Sequence, residues 1–235
     1  MEFLKTGDLI FFESDGGLSS SIISIIIACE ITHIGMIIKP TQDHDKLKKD
    51  HLYLFEMGRN VKSKIILGKD YSSSRIVDFE ELVNKRESNI YVKRWFISNE
   101  LKSHQEFAYF LASKLENELI DYVINHLKIS YTSFIPSIFY MDKILPFSPR
   151  FFYPWEDFYG DIKSTVKSKQ INPKHCSQLI FFTLVHCNIF KNRKDSFSIT
   201  PADIYLNTND YCFPLIHYSN SIVLKDFKSI QELNE

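Results

Sequence analysis

Several residue types that would mark whole classes of protein are scarce in this chain. Its 235 residues include only 4 Cys, 7 Gly, 8 Pro and 4 Ala. Four cysteines, no two of them in CxxC spacing, are too few for a disulfide scaffold in a chain this long. Seven glycines and eight prolines exclude collagen-like and linker-like chains. Net charge is lacking too: 28 Lys+Arg stand against 29 Asp+Glu, a formal balance of -1. That excludes nucleic-acid binding driven by charge. With 44% of residues apolar, it also excludes disorder. Alanine, the best helix former, is nearly absent, while 30 isoleucines favour strands. One compact domain spanning 1–235 and mixing strands with helices is expected.

No secretory leader is expected, because Glu2, Lys5 and Asp8 interrupt the first residues. The thiols of Cys29, Cys176, Cys187 and Cys212 are then expected to stay reduced in a cytoplasmic compartment. The most apolar stretch, Leu18 to Ile38, is long enough to span a bilayer, but it contains Glu30 and His33. A buried helix followed by a buried strand fits it better, although the Ile-rich run to Cys29 also suits a strand.

Along the chain, strands are expected at Asp8–Glu13, His33–Ile38 and Leu52–Met57. The last of these is expected to pair with Val61–Leu67 through a turn at Gly58–Asn60. Asp78 should cap a short helix to Asn84, and Ile90–Phe96 should form one strand. Asn99 to Leu127 carries an apolar stripe that includes Leu115, Leu119 and Val123. Residues 130–160 hold four prolines among many Phe and Tyr, an aromatic insert expected to cover the core or line a groove. A helix should run from His175 to Asn188, with Asn172 as cap and Pro173 as its first residue. Thr200-Pro-Ala-Asp203 reads as a capping box. Phe213–Leu224 should be strand around a Ser219–Ser221 turn. The expected class is α+β, an antiparallel sheet packed with helices.

Three residues carry candidate chemistry. Cys176 would sit in the first turn of its helix, where the dipole and free amides stabilise a thiolate. His33 leads a buried strand and could serve as its base. Glu56 lies in an apolar strand, Leu52-Tyr-Leu-Phe-Glu-Met57, and costs free energy to bury unless paired. Together they have the logic of a Cys–His–carboxylate triad in the chain order His, Glu, Cys. The plainer alternative makes each a packing or surface residue, which is how Cys29, Cys187 and Cys212 are read. His175-Cys176 and His186-Cys187 cannot share a zinc ion, since eleven helical residues separate them by about 16 Å.

The motifs Gly7-Asp8-Leu9-Ile10, Thr32-His33-Ile34-Gly35, Glu56, Cys176-Ser177-Gln178-Leu179-Ile180 and Thr200-Pro201-Ala202-Asp203 occur in this order over about residues 6 to 206. In this the chain resembles the permuted papain-like, YiiX-like branch of the NlpC/P60 cysteine hydrolase superfamily, which has members in bacteria and large DNA viruses. Gln178 stands where that family usually has Glu. The resemblance implies a circularly permuted papain-like fold and a thiol hydrolase acting on amide or peptide-like substrates. Cys176 would be the nucleophile, His33 the base, Glu56 the residue orienting the imidazole, and the Cys176 amide an oxyanion donor. Asp8 would support structure. No cofactor or metal is implied, and the viral members suggest an infected host's cytoplasm or a virion as the location. Two other functions remain open. One is a lipid acyltransferase or phospholipase with the same triad and a peripheral lipid contact, the other a binding module on this scaffold.

Overall fold

The computed structural model describes residues 3–16, 21, 24, 29–44, 46–58, 63–68, 73–98, 105–125, 175–191 and 199–224, with side chains in 105–125 only from 112 onward. The expected helix at Leu18–Cys29 falls mostly outside these residues, as do the 130–160 insert and the Asn172-Pro173 cap.

Among the described residues, a mixed sheet-and-helix architecture bears out the α+β expectation. The strands are β1 (Leu9–Glu13), β2 (Ile31–Ile38), β3 (Tyr53–Gly58), β4 (Ile65–Gly68), β5 (Ser73–Asp78), β6 (Ile90–Lys93), β7 (Trp95–Ile97), β8 (Ile216–Tyr218) and β9 (Ile222–Val223). The helices are α1 (Phe79–Asn84), α2 (Gln105–Asn125), α3 (Cys176–His186) and α4 (Pro201–Tyr211). Seven strands form one sheet in the order β4-β5-β3-β2-β1-β6-β9, every neighbouring pair antiparallel. β7 and β8 pair separately.

The inner strands β1 and β2 are buried on both faces, which is why they read as nearly continuous apolar runs. Successive residues of β1 divide between two cores: Leu9 and Phe11 join one, Ile10 and Phe12 the other. The first core takes in α2 through Leu115, Leu119 and Val123, and α3 through Leu179, Ile180 and Leu184. The second is closed by Phe79 and Leu82 of α1. α3 is buried along nearly its whole length, Cys176 through Leu184, as a helix apolar all round must be. It packs against β2 and β3. Among the described residues no helix is long and apolar enough to cross a membrane.

Local signals hold where they are local. Asp78 caps α1, its side chain accepting from the Glu81 amide, and Thr200 and Asp203 complete a capping box on α4. Non-local pairings depart from expectation. β3 does not return along β4. It pairs with β5, which lies between them, and β4 packs outside β5. β5 is Ser-Ser-Arg-Ile-Val-Asp, too polar to announce itself, and its place depends on the ion pair described below. Ile90–Phe96 is not one strand. It breaks at Arg94, whose guanidinium lies 3.5 Å from buried Asp8, and the two pieces enter different sheets. Nor do β8 and β9 pair with each other, since β8 joins β7 and β9 joins β6. Gly7 adopts φ 91°, and a Cβ there would meet the Trp95 ring nitrogen at 2.5 Å. That close approach lets the Trp95 indole donate to the Thr6 carbonyl at 2.8 Å.

Candidate active site

The strand register aligns the polar residues of the sheet. Gly35 of β2 stands opposite Glu56 of β3, and Glu56 stands opposite Arg75 of β5. Directly opposed residues share a face, and His33, two positions from Gly35, shares it too. A Cβ on Gly35 would lie 2.7 Å from Leu54 Cδ1, so this position is kept bare by the neighbouring strand. His33 Nε2 and Glu56 Oε2 are 2.7 Å apart. The other carboxylate oxygen, Oε1, accepts from Arg75 Nε at 2.9 Å and from Nη2 at 2.8 Å. Glu56 and Arg75 are both buried, whereas the His33 side chain keeps 20% of its surface exposed. The imidazole also packs on Phe12, ring centres 5.5 Å apart.

Cys176 reaches this row from the start of α3. Its sulfur lies beside the His33 side chain and favours the charged imidazole. Glu56 occupies Nε2, so Nδ1 is the nitrogen left for the sulfur. The structure thus brings Cys176, His33 and Glu56 together, with His33 hydrogen-bonded to Glu56 and the Cys176 sulfur beside the imidazole. It also adds Arg75, which the sequence reading missed. The only sequence signal for Arg75 is an arginine followed by Ile-Val in a short β-like segment, and that does not say what it faces.

The charges in this row support one another. Burial disfavours an ionised His33, but the Cys176 sulfur and the Glu56 carboxylate outweigh it and raise the imidazole to about 9. Burial likewise pushes the Glu56 carboxyl up, yet hydrogen bonds and charges from His33 and Arg75 bring it down to about 2. Burial, joined at Cys187 by the charge of Glu118 and opposed at Cys212 by Lys191 and Lys93, pushes both thiols up to about 12, which keeps them protonated and inert near neutral pH.

The helix start differs from the expected one. Its N-cap is His175, extended at φ −151° and ψ 170°, with no side-chain cap hydrogen bond, and Cys176 is the first helical residue. This corrects the placement of the cap at Asn172. The reason lies in a buried relay. Ser177 Oγ donates to the Ile199 carbonyl at 2.8 Å, so its one proton is committed. It therefore accepts from His175 Nδ1 at 2.9 Å, which fixes the His175 tautomer. Burial drops His175 to about 3, so the ring is neutral. The relay ties the first turn of α3 to the segment preceding α4. Cys176 in turn sits among the first amides of a helix, which have no intrahelical partner.

Asp8 lies elsewhere, at the start of β1. It accepts from the Lys5 amide at 3.0 Å, and burial raises it to about 6 against the pull of Arg94 and Lys5. Among the described residues no cluster of three or more His, Cys, Asp or Glu could hold a metal. His186 instead stacks on Tyr122, ring centres 4.3 Å apart.

What the architecture defines is an α+β chain whose antiparallel sheet and central helix bring a cysteine, a histidine and a glutamate together. No family model and no curated protein matches the sequence. Among solved structures, the chain is similar to one described as the metalloprotein yiiX from Escherichia coli O157:H7, DUF1105. The similarity covers 93% of this chain and 97% of that one, at 12% identity and a TM-score of 0.47.

Proposed function

We propose that this chain is a thiol hydrolase of the circularly permuted papain-like, NlpC/P60 kind, acting on an amide or peptide-like carbonyl. The observation that supports it is the row Cys176–His33–Glu56, in which His33 hydrogen-bonds Glu56 and stands beside the Cys176 sulfur, with the cysteine at a helix start. In the resting site the thiol proton resides on His33, giving a thiolate beside an imidazolium. The thiolate attacks the carbonyl carbon, a C–S bond forms, and the carbonyl π electrons move onto oxygen. The Cys176 amide donates to that oxyanion. Collapse breaks the C–N bond, and the imidazolium gives its proton to the departing amine. Water, deprotonated by the now neutral His33, then attacks the thioester. The thiolate leaves, and the carboxylic acid product is released. Glu56 holds the ring orientation and stabilises the imidazolium through Nε2.

His33 sits at about 9, so the imidazolium holds through neutral pH and is lost as pH rises through that value. An intracellular, reducing setting belongs to the same proposal.

The test is labelling by a thiol-reactive acyl probe, located by mass spectrometry of the intact and digested protein. The expected outcome is one adduct on Cys176, absent in Cys176→Ala and slowed at least tenfold in His33→Gln. Unchanged labelling of Cys176→Ala would refute the assignment. Peptide and amide libraries incubated with the active protein would then identify the substrate.

A further inference from the structure

Arg75 is among the largest side chains with no exposed surface. A guanidinium is costly to bury unless a charged, hydrogen-bonded partner compensates it. Here Nε and Nη2 both donate to Oε1 of Glu56, which leaves Oε2 for His33. The backbone is shaped around this contact. Gly68 of edge strand β4 stands opposite Arg75 at φ 101°, and a Cβ there would lie 2.8 Å from the Arg75 Cα. The edge strand can therefore pair this closely with the Arg75 backbone only with glycine at this point.

We propose that Arg75 is a positioning residue of the thiol site, acting through Glu56 to hold the Cys176–His33 pair in its ionised form. The inference rests on the thiol hydrolase reading above. Its physical basis is charge balance in a buried row. Thiolate, imidazolium, carboxylate and guanidinium alternate in sign and sum to zero. Without Arg75 the row carries one uncompensated negative charge. The least costly relief is a proton taken up by the sulfur or by Glu56, and either one lowers the thiolate population at a given pH.

The neighbouring charges do not replace Arg75. Arg86 feels Glu56, but it also feels Asp15, it donates to the Glu13 carbonyl at 3.2 Å, and its guanidinium lies 4.4 Å over the Phe12 ring. Glu13 is engaged by the Tyr91 hydroxyl. His175, next to Cys176, is neutral. Lysine would restore the charge at position 75 but not two parallel donors to one oxygen.

The test follows the rate of Cys176 alkylation by iodoacetamide from pH 4 to 9, with intact mass as readout and amide NMR spectra as the check on folding. In Arg75→Met the acid limb should move up by about one pH unit or more, so that alkylation below the limb slows about tenfold. Arg75→Lys should move it the same way by less. Glu56→Gln should remove most of the effect of Arg75→Met, because Arg75 then has no carboxylate to act through. A folded Arg75→Met with an unmoved limb overturns the inference. So does an equal shift in the Glu56→Gln background, which would mean Arg75 acts on the sulfur directly. If Arg75→Met does not fold, Arg75→Lys with an unmoved limb overturns it. Failure of the underlying reading looks different: Cys176 of the unaltered protein would alkylate no faster than a free peptide thiol.

Discussion

Glu56→Gln separates the electrostatic content of the site from its shape. The Glu56 carboxyl is held at about 2, against an ordinary value of 4.5. The folded chain therefore binds this proton less readily than the unfolded chain does. Its contribution to stability is fully present above pH 4.5 and is lost as pH falls through 2. A displacement of about 2.5 pH units corresponds to about 3 kcal/mol. Only 5% of the Glu56 side chain is exposed, so solvent screening discounts this little. Glutamine keeps the volume and one acceptor but cannot titrate. Urea unfolding of both proteins at pH 5 and pH 2 isolates the effect, since most other carboxylates cancel in the difference. The advantage of the native protein over Glu56→Gln should shrink by about 3 kcal/mol between the two pH values. A difference that stays constant would mean that the carboxylate is not held by His33 and Arg75 in solution, and the electrostatic argument for the site would fall with it.

Three further outcomes are expected. Gly35→Ala drives a methyl group into Leu54 and within 3.1 Å of the Phe55 carbonyl, so it should cost about 1–3 kcal/mol in denaturant unfolding. Asp8, raised by burial to about 6 from 3.8, is a buried charge that penalises folding above pH 6 and not below 3.8. Between pH 3.5 and 7 the stability of Asp8→Asn should therefore improve relative to the native protein by about 3 kcal/mol, read from paired urea curves. Thr200→Ala removes the hydroxyl that accepts from the Asp203 amide, and thermal unfolding should show a loss of about 1 kcal/mol.

Some features could be read directly along the chain. The helix starts at Asp78 and Thr200 depend on contacts three residues apart, so the residue types carry the signal. The two-sided burial of β1 and of β2 from Ile34 onward shows as nearly continuous apolar runs. His33 and Glu56 stood out because each is chemically out of place in its apolar strand, and Cys176 because it would open a helix. That oddity marks a residue without naming its partner.

Partners are a matter of register, and register is not local. The Ile-Ile-Leu-Gly run of β4 suits any neighbour, so the hairpin expected with β3 competed on equal terms with the pairing to β5 that the fold adopts. What selects β5 for the place beside β3 is a charge that cannot be buried alone: opposite Glu56 it supplies Arg75. The same logic divides Ile90–Ile97 at Arg94, where Asp8 draws the chain aside. It also places the cap of α3 at His175, whose ring is satisfied by Ser177 and, through it, by the Ile199 carbonyl 22 residues on. By itself, then, the sequence determined the fold class, the capped helix starts at Asp78 and Thr200 and the three candidate site residues, because each follows from residue type and short spacing. Only the tertiary structure decided the strand order, the fourth member of the charged row and the ionisation of the site, because those depend on which buried charges meet.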